Sequence, residues 1–307
     1  MNGAKDMNKS LSIQRSLHSQ EPKFTAKRYA RSLAGNLFVI LMLVLTGAFS
    51  ALPIVYSVIS ALKPLDEIFI FPPRFFVRRP TLNNFQELME LCSNLWVPFS
   101  RYVFNSVFVA VGSTALNVLF SSACAYPLAK NEFPGRKVIF NVIVFSLMFV
   151  SQVTFLPQYI IIAKMGLMDT YWALILPASG ASLGVFLMKQ FMEQLPHSMI
   201  EAARLDGCNE FMIFRKIIMP NVKPAWLTLI IFTFQGVWNN TSTQQFIFNE
   251  NYRTLPTAMN QIVSGNVMAR MGVGSAATVF LMIPPILLFV FLQSKVIETM
   301  AFAAIKE

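Results

Sequence analysis

Six stretches of this 307-residue chain contain no Asp, Glu, Lys or Arg: residues 32–62, 102–129, 138–163, 170–188, 224–249 and 271–294. No other feature constrains the fold as strongly. A helix needs about 20 apolar residues, at 1.5 Å each, to cross ~30 Å of hydrocarbon, and each stretch is long enough or nearly so. The composition agrees, with 55% hydrophobic and only 13% charged residues, far too apolar for a soluble domain. The sequence predicts an all-α integral membrane protein with six transmembrane helices. They lie at about residues 34–62, 102–129, 138–163, 171–188, 224–248 and 273–294, the fourth being the shortest. These helices form one membrane domain, 32–300, between a tail, 1–31, and a short C-terminal segment, 301–307.

Orientation follows from the basic residues between the helices. With the N-terminus in the cytosol, the inside segments hold 17 Lys and Arg and the outside segments 8. The positive-inside bias places both termini in the cytosol. The net charge of +10 has the same origin: its basic residues face anionic membrane lipid and require no nucleic acid. The tail, with Lys5, Lys9, Arg15, Lys23, Lys27 and Arg28 among polar residues, has no period and reads as disordered or as a membrane-surface segment. The apolar run after it is too long for a signal-peptide core of roughly 7–15 residues, so no cleavable signal is expected.

Several chemistries lack raw material. The three cysteines, Cys92, Cys124 and Cys208, fall outside, within and inside the membrane, so neither a disulfide nor a metal set is expected, and packing is their role. The chain has no Gly-Lys dipeptide, hence no phosphate-cradling loop and no ATPase of its own. Only His18 and His197 exist, which leaves nothing for zinc-peptidase motifs or His-based triads. The chain is therefore read as no enzyme. Ion-coupled carriers usually carry ionisable residues inside their helices, and all six stretches lack them.

The segment 189–223 has the chemistry of a docking element. Its five basic and four acidic residues keep it out of the bilayer, yet it carries helix signals. Ser198 and Glu201 form an S-x-x-E capping box that starts a helix near Met199. Asp206-Gly207 stops it, because glycine tolerates the left-handed conformation of a tight turn. Asn209 caps a second helix through Glu210, Phe214 and Ile218, which Pro220 ends. Ala202 and Ala203 keep the first helix slim enough for a groove on another protein, and Met199, Ile200, Leu205, Phe211 and Phe214 supply an apolar anchor. Two arrangements are open to this pair: docking on a partner, or packing on its own bundle.

The run Glu201-Ala202-Ala203, Gly207, Ile217 and Met219-Pro220 resembles the EAA signature of permease subunits of bacterial ABC importers, with Met219 where Leu is usual. Leu205-Asp206-Gly207, Gly166-Leu167, Asp169-Thr170 and the residues from Leu174 to Pro177 resemble motifs of the carbohydrate branch. So do Asn105-Ser106, Ala125-Tyr126, the Phe133 to Arg136 turn, Pro80-Thr81-Leu82, Asn84-Phe85 and Trp238-Asn239. The resemblance covers about residues 35–305 and is to the maltose-type sugar permeases. It implies a cytoplasmic coupling-helix loop between the fourth and fifth helices of the bundle, in which Glu201, Ala202, Ala203, Leu205, Asp206, Gly207, Ile217 and Pro220 meet an ATPase. The implied partners are a second permease subunit, two ABC ATPase subunits that hold ATP-Mg, and an extracytoplasmic solute-binding protein. The implied site of action is the bacterial cytoplasmic membrane. This chain itself binds no cofactor and no metal in that reading. A permease for a non-sugar solute and a self-powered carrier are the alternatives.

For a substrate path, Gln235, Asn239, Ser242 and Phe246 recur at spacings of four, three and four along the predicted fifth helix, with Trp238 and Gln245 beside them. Amides and aromatic rings suit sugar hydroxyls and the C–H face of a pyranose ring. The same amides also serve to bond neighbouring helices. Gln152, Asn117 and Ser121 are further candidates. Gly180 and Gly184 form a G-x-x-x-G assigned to close helix packing. Pro157, Pro177 and Pro284-Pro285 should kink their helices. Phe85, Leu88, Met89 and Cys92 predict an amphipathic helix on the outer membrane surface. Its neighbours Arg74, Arg78 and Arg79 stand on an edge open to the delivery protein.

Overall fold

A computed structural model describes residues 33–72, 74–264 and 271–305; the expected basic tail lies outside them. The chain divides into two compact units, 1–53 and 54–307. In the first, the described residues belong to α1 (Leu33–Ala61), which contains Pro53. Leu37, Phe38, Leu43 and Phe49 on it are all more than half exposed. A helix apolar on every side is what lipid selects, since water would reject it.

Every regular element among the described residues of the second unit is helical. After α2 (Asn83–Ser93), its hub is α3 (Phe99–Lys130). Buried Ser106, Ala110, Ser113, Asn117, Ser121 and Ala125 recur on α3 every three or four residues, a small-residue stripe that lets other helices come close. Against it pack α6 (Trp172–Ser179), α7 (Ser182–Glu193) and α10 (Lys223–Trp238). A Cβ on Gly184 of α7 would lie 2.2 Å from Ser121 Oγ and 2.8 Å from Asn117 Oδ1, whereas one on Gly180 would meet nothing within 4 Å. Only Gly184 of the expected G-x-x-x-G is a packing glycine.

Three of the predicted helices are interrupted. The third is two helices, α4 (Arg136–Ser146) and α5 (Ser151–Lys164). At the break Ser146 Oγ donates to the Ile143 carbonyl and contacts Ser182 Oγ, both at 2.6 Å, so the hydroxyl competes with the helical ladder. The fourth breaks between α6 and α7 at Gly180-Ala181. There Asn117 Nδ2 donates to the carbonyls of Ala178 (2.9 Å) and Ser179 (3.3 Å), satisfying acceptors that a helix end leaves open. The fifth, expected to reach 248, ends at Trp238. The polar run that follows bonds to itself, with Ser242 N donating to Asn240 Oδ1 at 2.9 Å, and continues as a 3-10 turn, Ser242–Gln245.

Among the described residues, four helical segments are long and apolar enough to cross a membrane: Gly35–Ala61, Phe99–Lys130, Trp172–Glu193 and Met271–Val296. A fifth arises if the pair Glu210–Asn221 and Lys223–Trp238, bent by 78°, is taken together. The prolines at 157, 177, 284 and 285 lie inside helices and end none of them.

The expected amphipathic helix exists as α2. Phe85, Leu88 and Cys92 turn into the core while Met89 stays exposed, and the helix packs on α12 (Met271–Ile305), which follows α11 (Leu255–Ser264), so it is not a helix resting only on lipid. Asn84 Nδ2 donates to the carbonyls of Ala61 (2.8 Å) and Lys63 (2.7 Å). Arg79 is spent within the same segment: it pairs with Asp66, and its backbone N–H and that of Arg78 both donate to the Glu67 carboxylate.

Candidate functional site

The loop after α7 folds into an elbow. Its first arm, α8 (His197–Leu205), starts behind Pro196, with no side-chain cap; the Ser198/Glu201 box does not form, and Pro196 sets the turn in its place. Gly207 adopts φ +80°. Gly207 N–H donates to the Arg204 carbonyl and Cys208 N–H to that of Ala203, both at 3.0 Å. This is the paired closure by which a left-handed glycine ends a helix. Asn209 then accepts from Met212 N–H at 2.8 Å, the expected N-cap of the second arm, α9 (Glu210–Asn221).

That arm runs past Pro220, contrary to the sequence expectation. Residues Phe214–Ile218 are π-helical, and Met219 N–H reaches back to the Phe214 carbonyl. The wider turn absorbs the proline that would otherwise break an α-helix. The break comes instead at Val222, between α9 and α10.

The elbow has a clear inside and outside. Ile200, Ala203, Ile213, Ile218 and Val222 are buried against Ala125, Tyr126, Ala129, Met188 and Met192. Ile200 and Ala203 are thus fixed to the protein's own bundle and are not part of an outward face. Phe214 is half-buried beside the Tyr126 ring, 5.6 Å between centroids, and Ile217 packs on the same cluster. Outward stand Glu201, Ala202, Asp206 and Pro220, with Leu205 89% and Phe211 68% exposed. Arg204 holds Glu210 Oε1 through Nη2 (2.7 Å) and Nε (3.0 Å), while Tyr126 Oη donates to Glu210 Oε2 at 2.7 Å. The Tyr126 hydrogen bond, reinforced by Arg204, keeps the Glu210 carboxyl below its ordinary value. Glu201 makes no hydrogen bond or ion pair among the described residues.

A second feature is a cavity of about 700 Å³, lined among others by Gln152, Phe155, Gln158, Asn239, Asn240, Ser242, Gln245 and Phe246. No charged residue lines it among the described residues. The side-chain amides of Gln152, Gln158, Asn239 and Gln245 have no hydrogen-bond partner among the described residues. Its wall is held from behind. Asp169 accepts from Phe248 N–H (2.5 Å) and Asn249 N–H (2.8 Å). Asn105 donates to the carbonyls of Asn251 and Arg253, both at 2.8 Å, and accepts from Tyr171 Oη at 2.7 Å. Ser106 accepts from Leu255 N–H at 2.6 Å.

The structure therefore brings Gln152, Asn239, Ser242, Gln245 and Phe246 together, although not as one helical stripe. Gln235 and Trp238 lie elsewhere. Gln235 is exposed and lines no part of this cavity. Trp238 is 3% exposed, stacks on Phe234 and donates from Nε1 to the Leu281 carbonyl at 3.0 Å. Asn117 and Ser121 are also packing residues, both buried on the face of α3 that meets α7. Gln158 and Asn240 were missed by sequence reasoning. The signal that would have found them is simply an amide inside a charge-free stretch.

Comparison with known proteins follows the same lines. Residues 96–300 match the family described as the binding-protein-dependent transport system inner membrane component. The arabinooligosaccharides transport system permease protein AraQ of Halalkalibacterium halodurans is 30% identical over 263 residues, 83% of this chain and 90% of that one. Protein LplC of Bacillus subtilis is 29% identical over 279 residues, 85% of this chain and 90% of that one. Among solved structures, a bacterial ABC transporter involved in the import of the acidic polysaccharide alginate shares the fold, with a TM-score of 0.68 at 21% identity, over 86% of this chain and 98% of that one. This chain belongs to the family of inner-membrane components of binding-protein-dependent transport systems.

Proposed function

We propose that this chain is one of two permease subunits of a bacterial ABC importer for a sugar or oligosaccharide. In this reading the chain sits in the cytoplasmic membrane with both termini in the cytosol and catalyses no reaction itself. Two ATPase subunits carrying ATP-Mg drive it, and an extracytoplasmic binding protein delivers the substrate. The arabinooligosaccharide permease among its relatives supports the sugar class.

The observation that carries the reading is the two-sided elbow. Its inner face is locked to α3 and α7 through Ile200, Ala203 and the Tyr126–Glu210–Arg204 chain. Its outer face offers the unpaired Glu201 carboxylate with bare Leu205 and Phe211. A rigid lever with one fastened face and one open apolar face transmits a partner's movement into the bundle. ATP favours the state in which the two ATPases close, and that preference shifts the permease pair between inward-open and outward-open forms. The amide-lined cavity is this subunit's share of the path, its Gln and Asn groups pairing with sugar hydroxyls.

Reconstitution with the partner subunits tests this. Glu201→Lys and Gly207→Trp should each abolish sugar uptake and leave ATP turnover unresponsive to the loaded binding protein, with the chain still folded in the membrane. Uptake that persists in vesicles without any ATPase subunit would refute the proposal.

A further inference from the structure

A second concavity, about 550 Å³, lies between α10 and α12 and is lined by Lys223, Trp226, Leu227, Ile230, Leu288, Phe291, Leu292 and Lys295. Its described lining is divided between six apolar side chains and the two ammonium groups of Lys223 and Lys295. The two helices run antiparallel, tied at their far end by the Trp238 Nε1 bond to the Leu281 carbonyl. Lys223 precedes Trp238 by 15 residues and Lys295 follows Leu281 by 14. At 1.5 Å per residue both lysines stand about 21–23 Å from that bond, at one level of the bilayer. The apolar residues occupy the turns next to them, on the hydrocarbon side.

We propose that this cleft is a binding site for an anionic phospholipid of the cytoplasmic leaflet. The phosphate lies between Lys223 and Lys295, and an acyl chain lies along Leu227, Ile230, Leu288 and Leu292. Basic pockets between membrane helices on the cytoplasmic side recognise acidic headgroups in this way, because the ammonium groups meet the phosphate where local dielectric is low. The location gives the lipid a consequence for the elbow. Lys223 is the first residue after the bend at Val222, and Trp226 in the cleft donates from Nε1 to the Met219 carbonyl at 3.1 Å. A lipid seated there braces the joint between α9 and α10. The inference rests on the orientation proposed above but not on ATP coupling, so a chain that failed to couple would still bind lipid.

The test uses the full chain, extracted from its host membrane with the subunits that accompany it and placed in nanodiscs of mixed phosphatidylglycerol and phosphatidylcholine. Native mass spectrometry then counts the lipids retained after detergent washing. The wild type should keep phosphatidylglycerol over phosphatidylcholine. The double variant Lys223→Gln/Lys295→Gln should lose that preference by about tenfold, and Lys223→Arg/Lys295→Arg should keep it. Millimolar inorganic phosphate should not displace the lipid. The proposal fails if the Gln variant retains as much phosphatidylglycerol as wild type, or if Lys137→Gln/Lys216→Gln loses just as much. It also fails if phosphate alone competes, or if Leu288→Cys cross-links efficiently to a companion subunit across the cleft.

Discussion

The Tyr126 hydroxyl donates to Glu210 across 2.7 Å, fastening the C-terminal end of α3 to the first residue of the elbow's second arm. Removing it by Tyr126→Phe should weaken the elbow by about 1 kcal/mol without altering the membrane helices. Hydrogen exchange at residues 197–221 should accelerate while that of 103–120 stays unchanged.

The same contact sets a pH response. Because Tyr126 and Arg204 lower the Glu210 carboxyl in the folded protein, its contribution is complete above the ordinary glutamate range. It is lost as pH falls through that range toward the lowered folded value. Elbow protection should be flat from neutral to mildly acidic pH and decline below it, with Glu210→Gln lying lower at neutral pH, showing less pH dependence and converging with the wild type at low pH.

At Gly207 the penalty for a side chain is purely conformational, since an added Cβ meets nothing within 4 Å while φ is +80°. Gly207→Ala should cost about 1–2 kcal/mol of local stability and Gly207→Asn less, as read by protease susceptibility of the 205–209 turn.

Gly184 and Gly180 should separate cleanly. Gly184→Ala drives a Cβ to 2.2 Å from Ser121 Oγ and should cost about 1–3 kcal/mol by overpacking, partly relieved by Ser121→Ala. Gly180→Ala meets open space and should leave thermal unfolding in detergent close to wild type.

Among the amides, place in the structure divides function from packing. Gln152→Leu, Gln158→Leu and Gln245→Leu line the cavity and should reduce sugar uptake several-fold at normal protein level. Asn117→Ala removes the cap on α6 and should lower the protein level itself, by a stability loss of about 1–3 kcal/mol. Membrane immunoblots beside uptake assays distinguish the two.

Much of this was legible in the residues. Long charge-free runs mark membrane helices because lipid admits few charges, and the elbow's Gly207 and Asn209 are local backbone devices that need only their neighbours. What the sequence hid was set by contacts distant along the chain. Ser146 meeting Ser182, and Asn117 reaching Ala178, break or cap helices that hydrophobicity alone would run through. The end of α10 at Trp238 depended on a polar run bonding to itself, which a helical period does not register. Which way Ala203 and Ile200 face could not be read, because the elbow's rotation on the bundle is fixed by Met188, Met192 and Tyr126, not by its own residues. Conversely, the Asn105-Ser106 and Asp169 motifs were recognised only as resemblances. Their physical role, holding the 248–255 segment beside the cavity, emerges from their hydrogen bonds.

Cross-linking from the elbow's bare tip tests the central claim most directly. With Cys92, Cys124 and Cys208 replaced by Ser, Leu205→Cys is introduced into the assembled transporter and treated with a short bifunctional thiol reagent. A coupling elbow should link to an ATPase subunit, with a yield that changes between nucleotide-free and ATP-bound states. A link to no ATPase in either state, or modification of Leu205→Cys only from the outside of sealed cells, would contradict the account.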